Sequence, residues 1–289
     1  AILSKRMENS RPEESSSAPS KQQDLRIISL APSITETLFK LGMEDSLVGV
    51  TRYCDYPPEA TKIAKTGGYF DPNYEAMIAL RPNLVLLLPD HEKPRAFFKA
   101  RGIRTITLNH RSLQEIMKSI QAVGDACGVP ERAADLVRQI QNRINAITAV
   151  VKERPPVKVM VAVGRDVDAK SIRGVYIAGN SGWYSELIEL AGGVNAYDGD
   201  LPFPSVSAEG ILAMNPSVII EMLGDMEGKP FDTDKALATW QTLPHLDAVQ
   251  NGRLHLFRDE FVVIPGPRFI MILEKMARLL HPEADWSML

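Results

Sequence analysis

Glu75-Ala-Met-Ile-Ala-Leu-Arg-Pro-Asn-Leu-Val-Leu86 and Glu209-Gly-Ile-Leu-Ala-Met-Asn-Pro-Ser-Val-Ile-Ile220 are one twelve-residue pattern written twice, 134 positions apart. In each copy a glutamate opens a short apolar helix, a proline about seven residues on forbids its continuation, and an aliphatic run follows that reads as a buried strand. Asn73 and Ser207 precede the two helices at equivalent places, and both residue types are good N-caps. The same offset pairs Tyr69 with Phe203, so an aromatic stands six residues before each glutamate. The chain therefore reads as two copies of one fold. Two lobes that each offer an acid and an aromatic at matched positions suggest a cleft between them and a partner that touches both.

Composition narrows the classes. With 289 residues, 45 % of them hydrophobic, the chain can bury a large core and is expected to fold as one two-lobed protein or two domains. A net charge of -3 argues against nucleic acid, which favours a concentrated basic patch. No apolar run approaches the roughly 18 residues of a membrane span. Two cysteines, Cys54 and Cys127, are too few for a disulfide scaffold or a cysteine-ligated zinc site; they either pair or stand as two small buried thiols. Residues 1–24 are rich in Ser, Glu, Gln, Lys and Pro with few apolar side chains, and are expected to form a disordered tether or tail, with a start at Ala1 that fits a processed chain or a cloning scar.

From Leu25 onward the pattern is α/β. Strands are expected at Arg26–Leu30, Leu47–Val50, Leu84–Leu88 and Arg104–Leu108, with helical stretches between them as in parallel sheets. Ser33-Ile-Thr-Glu36 has the form of a capping box, and Gly42 closes the helix that it would open. The second half repeats the plan: strands at Val157–Val163, Ser217–Met222 and Arg253–Phe257, and a helix holding Ser185–Leu190 that Gly192-Gly193 stops. Between the halves Val137, Ile140, Ile144, Ile147 and Val151 step by three and four, from Pro130 to the break at Pro155-Pro156. A helix over Glu131–Glu153 would span roughly 35 Å at about 1.5 Å per residue. The expected organisation is a tether (1–24), an N-terminal lobe (25–130), a backbone helix (131–154) and a C-terminal lobe (155–289). A rod packed on both lobes limits them to small motions, where a glycine-serine hinge would permit wide closure.

Several of these stretches together resemble one known family. They are Ile28-Ser-Leu-Ala-Pro-Ser-Ile-Thr-Glu36, Val48-Gly-Val-Thr-Arg-Tyr-Cys-Asp-Tyr-Pro-Pro-Glu-Ala60, Tyr69 before Glu75, Ala79-Leu-Arg-Pro-Asn-Leu-Val85, Gly192-Gly193, Phe203-Pro-Ser-Val-Ser207 before Glu209, and Pro265-Gly-Pro-Arg268. From about Leu25 to the C-terminus the chain resembles the helical-backbone substrate-binding proteins of ABC importers, which carry cobalamin, haem and ferric siderophores, and is most similar to the cobalamin branch. The resemblance implies two Rossmann-like lobes with a ligand cleft between them, joined by one long backbone helix. It also implies a monomer in the periplasm, or on the outer face of the cytoplasmic membrane if lipid-anchored, that delivers a corrinoid to a permease dimer and its ATPase subunits. Haem or a ferric siderophore is the alternative ligand within the class.

The same resemblance assigns residues. Glu75 and Glu209 match glutamates at the lobe tips that pair with permease arginines; an acid in a first helical turn also gains about 0.3–1 kcal/mol from the helix dipole, and the two roles are compatible. Tyr69 and Phe203 match aromatics that pack on the corrin, with Tyr53 or Tyr56 in the adjacent loop. Trp183 and Phe261 also fall near strand ends, where open α/β sheets bind ligands. Arg52, Arg165 and Arg268 lie near the expected cleft loops and could meet a carboxylate, or serve as ordinary structural charges; Arg268 is the foremost of them as a ligand contact.

Metal ligation by the protein and catalysis are the weaker readings. His91, His110, His245, His255 and His281 lack the close spacing of zinc motifs. Tyr69 could ligate a haem iron, but in haem-carrying relatives the tyrosine stands one residue farther from its glutamate, which favours stacking here. The chain has no P-loop, His-Glu-x-x-His, Gly-x-Ser-x-Gly or dinucleotide fingerprint. Ser33 is better read as a cap than as a nucleophile. A chelatase-like tetrapyrrole enzyme remains open by architecture alone, because fold does not fix function.

Overall fold

The computed structural model describes residues 25–224, 232–287 and 289; the expected tether over 1–24 lies outside them. The N-terminal sheet holds β1 (Ile27–Ser29), β2 (Leu47–Val50), β3 (Leu84–Leu87) and β4 (Arg104–Thr107), all parallel in the order β2-β1-β3-β4. Its helices are α1 (Pro32–Lys40), α2 (Tyr74–Ala79), α3 (Glu92–Lys99) and α4 (Leu113–Cys127). Helix α5 (Pro130–Val151, 22 residues) then runs between the lobes, opened by Pro130 at its first turn as the sequence predicts.

The second sheet comprises β5 (Val157–Gly164), β6 (Val175–Ile177), β7 (Gly193–Asn195), β8 (Ser205–Val206), β9 (Val218–Met222) and β10 (Leu254–Phe257). Its path is β10-β9-β5-β6-β8, with β7 also paired to β5. Here the structure corrects the sequence: the second half does not simply repeat the first, because β6 and β8 run antiparallel at one edge. Both are too short, at three and two residues, to show a period. Helices α6 (Trp183–Leu190), α7 (Ala208–Met214), α8 (Thr233–Trp240), α9 (Asp247–Gln250) and α10 (Phe269–Leu280) complete the described α-helices.

The repeat survives in backbone geometry. Asn73 Oδ1 caps α2 by accepting from Ala76 N at 3.0 Å, and Ser207 Oγ caps α7 by accepting from Gly210 N at 3.3 Å. Each helix ends at a left-handed non-glycine residue followed by proline, Arg81 (φ 49°) before Pro82 and Asn215 (φ 42°) before Pro216. Among the described residues these are the only non-glycine positions with positive φ, and they are equivalent in the two copies. A residue before proline is pushed out of the right-handed helical region, so the helix must end there and the chain turn into the next strand.

Strand alternation sorts side chains into three clusters. Leu84 and Leu86 of β3, Val159 and Val161 of β5, and Val218 and Ile220 of β9 join one large core with α4, α5, α6 and α10. Their neighbours point the other way: Val85 and Leu87 join Met77 and Phe98, while Met160 and Ile219 join Trp240 and Leu246. The large core is continuous across both lobes, because Ala133, Ile140, Ile144, Ile147 and Val151 of α5 stand in it beside Leu187, Ile188, Ile272 and Met276. The lobes share one interior.

Polar contacts reinforce that union. Arg143 on α5 pairs with Glu274 on α10 at 2.6 Å and donates to the Leu289 carbonyl at 3.0 Å. Arg268 donates to both oxygens of Glu36 on α1, at 2.6 and 2.9 Å, and this pair is almost fully buried. Glu36 therefore makes a long-range ion pair and not the local capping contact expected of it. The capping box is corrected with it: α1 starts two residues earlier, with Ala31 at the N-cap and Pro32 at the first turn, and Ser33 turns to His110. The lobes approach closely at Gly266, where a Cβ would stand 3.1 Å from Ser33 Cα, tighter than ordinary contact. Cys54 and Cys127 are free buried thiols, which decides against their pairing. Cys54 lies within hydrogen-bond reach of the Thr35 and Thr51 hydroxyls.

Candidate functional site

In a parallel sheet every strand delivers its following loop to the same end, and ligands collect there. The ends of β1, β2, β3 and β4 lead to Ser33, to Tyr53 and Tyr56, to His91, and to His110. In the second lobe β5 leads to Arg165, and β10 leads to the short turn Glu260–Val263 that carries Phe261. Between the lobes lies an open cleft of about 250 Å³, lined by His110 and Arg111 from one side and by Ser181, Gly182, Trp183, Pro202 and Phe203 from the other. A larger hollow of about 430 Å³ lies wholly on the N-terminal lobe, among Phe39, Glu44, Asp45, Glu59 and Ile63. It holds none of the aromatics that face the second lobe, so the smaller inter-lobe cleft is the better site. Its floor is tied together by Glu186 on α6, which accepts from Leu113 N at the start of α4 at 2.7 Å.

The C-terminal wall is a built aromatic surface. Trp183 begins α6 and stacks on Tyr184, with centroids 3.9 Å apart and planes at 29°. Tyr184 is fixed in turn by donating to the Val262 carbonyl at 2.6 Å and meets Phe203 edge-on at 6.4 Å. Trp183 is 6 % exposed and Phe203 49 %, so a firm inner ring and an accessible outer ring share one wall. Phe261 is buried, 5.0 Å from the Arg268 guanidinium.

Across the cleft the tyrosines are placed differently from one another. Tyr53 is 55 % exposed on its loop. Tyr56 lies under the guanidinium of Arg268, 3.6 Å from its ring centre. Tyr69 is half-buried, its ring 4.3 Å from that of His91, and burial together with the charge and hydrogen bond of Asp90 raises its phenol above the ordinary range. Its neighbour Phe70 is 89 % exposed and meets Tyr69 edge-on at 4.7 Å. The sequence pointed to Tyr69 through the repeat, whereas the structure presents Phe70 to solvent; the period of the repeat marks the chain position and not which of two adjacent rings faces outward.

The arginines are already engaged. Arg268, 5 % exposed, is bound by Glu36 and Glu260 and serves as a strut between lobes, so the ligand contact expected of it competes with two carboxylates. Arg165 is buried in a pair with Glu221 and donates to the Ala236 carbonyl at 2.7 Å; Arg52 pairs with Asp71 on the surface. Arg111, exposed at the cleft, was not anticipated. Neither was His110, whose Nδ1 lies 3.0 Å from Ser33 Oγ and whose burial lowers its pKa to about 4, keeping the imidazole neutral at neutral pH. No carboxylate contacts His110 among the described residues, so Ser33 and His110 lack the third member of a hydrolytic triad.

Glu75 and Glu209 are both exposed in the first turns of α2 and α7. Glu209 is held below the ordinary carboxylate range by its own backbone N–H and by the Ser207 hydroxyl, and is ionised at neutral pH. No group of three or more His, Cys, Asp or Glu among the described residues is arranged to hold a metal ion. No described helix is long and apolar enough to cross a membrane.

A pair of α/β lobes on a shared helical core, with an aromatic cleft between them, defines a class: a two-lobed binding protein. Over residues 27–260 the chain matches the family described as periplasmic binding protein, and it belongs to that family. It is 28 % identical over 264 residues to the vitamin B12-binding protein of Vibrio cholerae serotype O1, covering 88 % of each chain. It is also 28 % identical over 274 residues to an uncharacterised ABC transporter substrate-binding lipoprotein of Bacillus subtilis, covering 91 % of this chain and 82 % of that one. Among solved structures it is similar to the periplasmic vitamin B12-binding protein of Vibrio cholerae, with a TM-score of 0.73, 27 % identity and coverage of 89 % and 96 %. It is similar as well to a periplasmic haem-binding protein of Roseiflexus in apo form, with a TM-score of 0.73, 26 % identity and coverage of 89 % and 98 %.

Proposed function

We propose that this protein is a non-enzymatic carrier that captures a cobalamin-like corrinoid between its lobes, 25–130 and 155–289, and hands it to an ABC importer at the outer side of the cytoplasmic membrane. The observation that carries this reading is the character of the cleft. Its C-terminal wall is Trp183, backed by Tyr184, beside the accessible ring of Phe203, while Arg52, Arg165 and Arg268 are neutralised by Asp71, Glu221 and Glu36. A corrin offers a broad apolar face rimmed by amides, which suits such a surface with Arg111 at its edge, whereas a haem with two propionates or a ferric catecholate or carboxylate complex calls for more positive charge than that arginine brings. The vitamin B12-binding relative supports the same assignment. Tyr53, Phe70 and Phe203 would enclose the ring from the two sides, with Tyr56, Tyr69 and Phe261 supporting the walls behind them.

Delivery would use Glu75 and Glu209. Both are exposed acids at equivalent places on equivalent helices, suited to meet one basic residue on each half of a two-subunit permease. The test is direct: protein incubated with cobalamin, haemin or a ferric siderophore is desalted and its absorption spectrum recorded. Corrin bands at one equivalent are expected. A Soret or siderophore band in their place would assign the protein to the other ligand of the class, and turnover of a tetrapyrrole with metal would make it an enzyme.

A further inference from the structure

The cleft contains one buried imidazole whose outer edge has no protein partner. His110 is 8 % exposed, lies at the C-terminal end of β4 and lines the inter-lobe cleft. Its Nδ1 edge is committed to Ser33 Oγ at 3.0 Å, whereas Nε2 has no hydrogen-bond partner among the described residues and is absent from the sealed interior. His91, the other buried histidine near the cleft aromatics, is arranged the opposite way: its Nδ1 accepts from Leu88 N at 3.0 Å and its Nε2 is sealed from solvent. One histidine is closed and the other is open toward the cleft.

We propose that His110 is an axial ligand, its Nε2 entering the coordination sphere of the metal at the centre of the complex held in the cleft. A ligating imidazole needs its ring held by a hydrogen bond at the other nitrogen, and Ser33 supplies an acceptor for Nδ1–H. The loop that carries His110 is also fixed: Asn109 donates to Glu115 at 2.7 Å and accepts from Arg111 N at 3.1 Å, Ser119 donates to the Asn109 carbonyl at 2.9 Å, and Ser112 caps α4. Such support behind a polar atom aimed at a cavity is what an oriented ligand requires. Trp183 and Phe203 line the same cleft, where they can bear on a planar macrocycle whose metal meets the imidazole. The step is a ligand exchange: the Nε2 lone pair forms one bond to the metal, one bound water leaves, the Nδ1 proton stays on the ring facing Ser33, and no electron is transferred.

This assignment rests on the corrinoid reading, and diaquocobinamide separates the two. That corrinoid carries water at both axial positions and has no nucleotide base, so any nitrogen ligand must come from the protein. Ultrafiltration reports whether it binds; the absorption bands report what binds to cobalt. Wild type is expected to bind it with bands moved from the aquo position to that given by free imidazole, and the Co(II) form is expected to show the triplet nitrogen splitting of one axial nitrogen by electron paramagnetic resonance. His110→Gln should bind with aquo bands and no nitrogen splitting. Ser33→Ala should keep the shift with affinity on the order of 10-fold lower, as for loss of a partner behind a metal-bound histidine. Bound wild-type corrinoid that retains the aquo bands and lacks nitrogen splitting overturns the assignment while leaving the corrinoid reading intact, as does a shift that survives in a folded His110→Gln. Wild type that binds no corrinoid overturns both.

Discussion

Two neighbouring aromatics divide the work that the repeat assigns to one. Tyr69 is braced by Asp90 and His91, whereas Phe70 is 89 % exposed. Phe70→Ala and Phe203→Ala should therefore each weaken corrinoid binding by about 0.5–1.5 kcal/mol beyond the lost area, with little change in melting temperature. Tyr69→Ala should lower stability as well as affinity. Calorimetry with parallel thermal melts distinguishes the three variants. His110 governs a second property. Its folded pKa is about 4 against an ordinary 6.5, so between those values the unfolded chain binds more protons than the folded one. Stability from this group is complete above about pH 6.5 and is lost as pH falls toward about 4. Melting temperatures across that window should fall for wild type and fall less steeply for His110→Gln; equal slopes would show that the ring is not protected from protonation.

At the scale of elements, α2 and α7 are the same device built twice: an N-cap at Asn73 or Ser207, an exposed acid, and a left-handed terminus before proline. The Glu75→Gln, Glu209→Gln double variant keeps shape and caps while removing charge. Ligand affinity and melting temperature should stay near wild type, whereas uptake and carrier-stimulated ATP hydrolysis with the cognate importer should drop. Normal uptake, or loss of ligand, would make these acids caps or cleft residues. This device was legible in the sequence because proline, caps and period act locally, and so were α5 and the buried strands. The rest was not, for reasons of distance. Ser33 and Glu36 have the spacing of a capping box, but one turns to His110, 77 positions away, and the other to Arg268, 232 positions away. The first turns of α1 are themselves buried, so Ser33 and Glu36 meet partners from distant segments where a capping box at an exposed helix end would meet water. The edge strands β6 and β8 borrow their order from β5 and carry too few residues to announce themselves.

For the whole molecule the decisive feature is the continuous core through α5, α6 and α10, reinforced by Arg268–Glu36 and Arg143–Glu274. Opening the lobes widely would expose that apolar core to water and part Arg268 from Glu36, the pair that meets across the lobes. Small-angle scattering of free and loaded protein should nearly superimpose, and a large fall in radius of gyration on loading would show a hinge that the shared interior forbids. The cleft is the surface that selects the ligand, and its occupant is the central claim. The most direct measurement is a crystal structure of the protein grown with cobalamin. One corrin ring is predicted between the lobes, its face against Trp183 and Phe203 and its opposite side toward Phe70 and His110; a corrin seated in the hollow beside Phe39 and Glu59, or crystals that exclude cobalamin and take up haem in the cleft, would contradict the account.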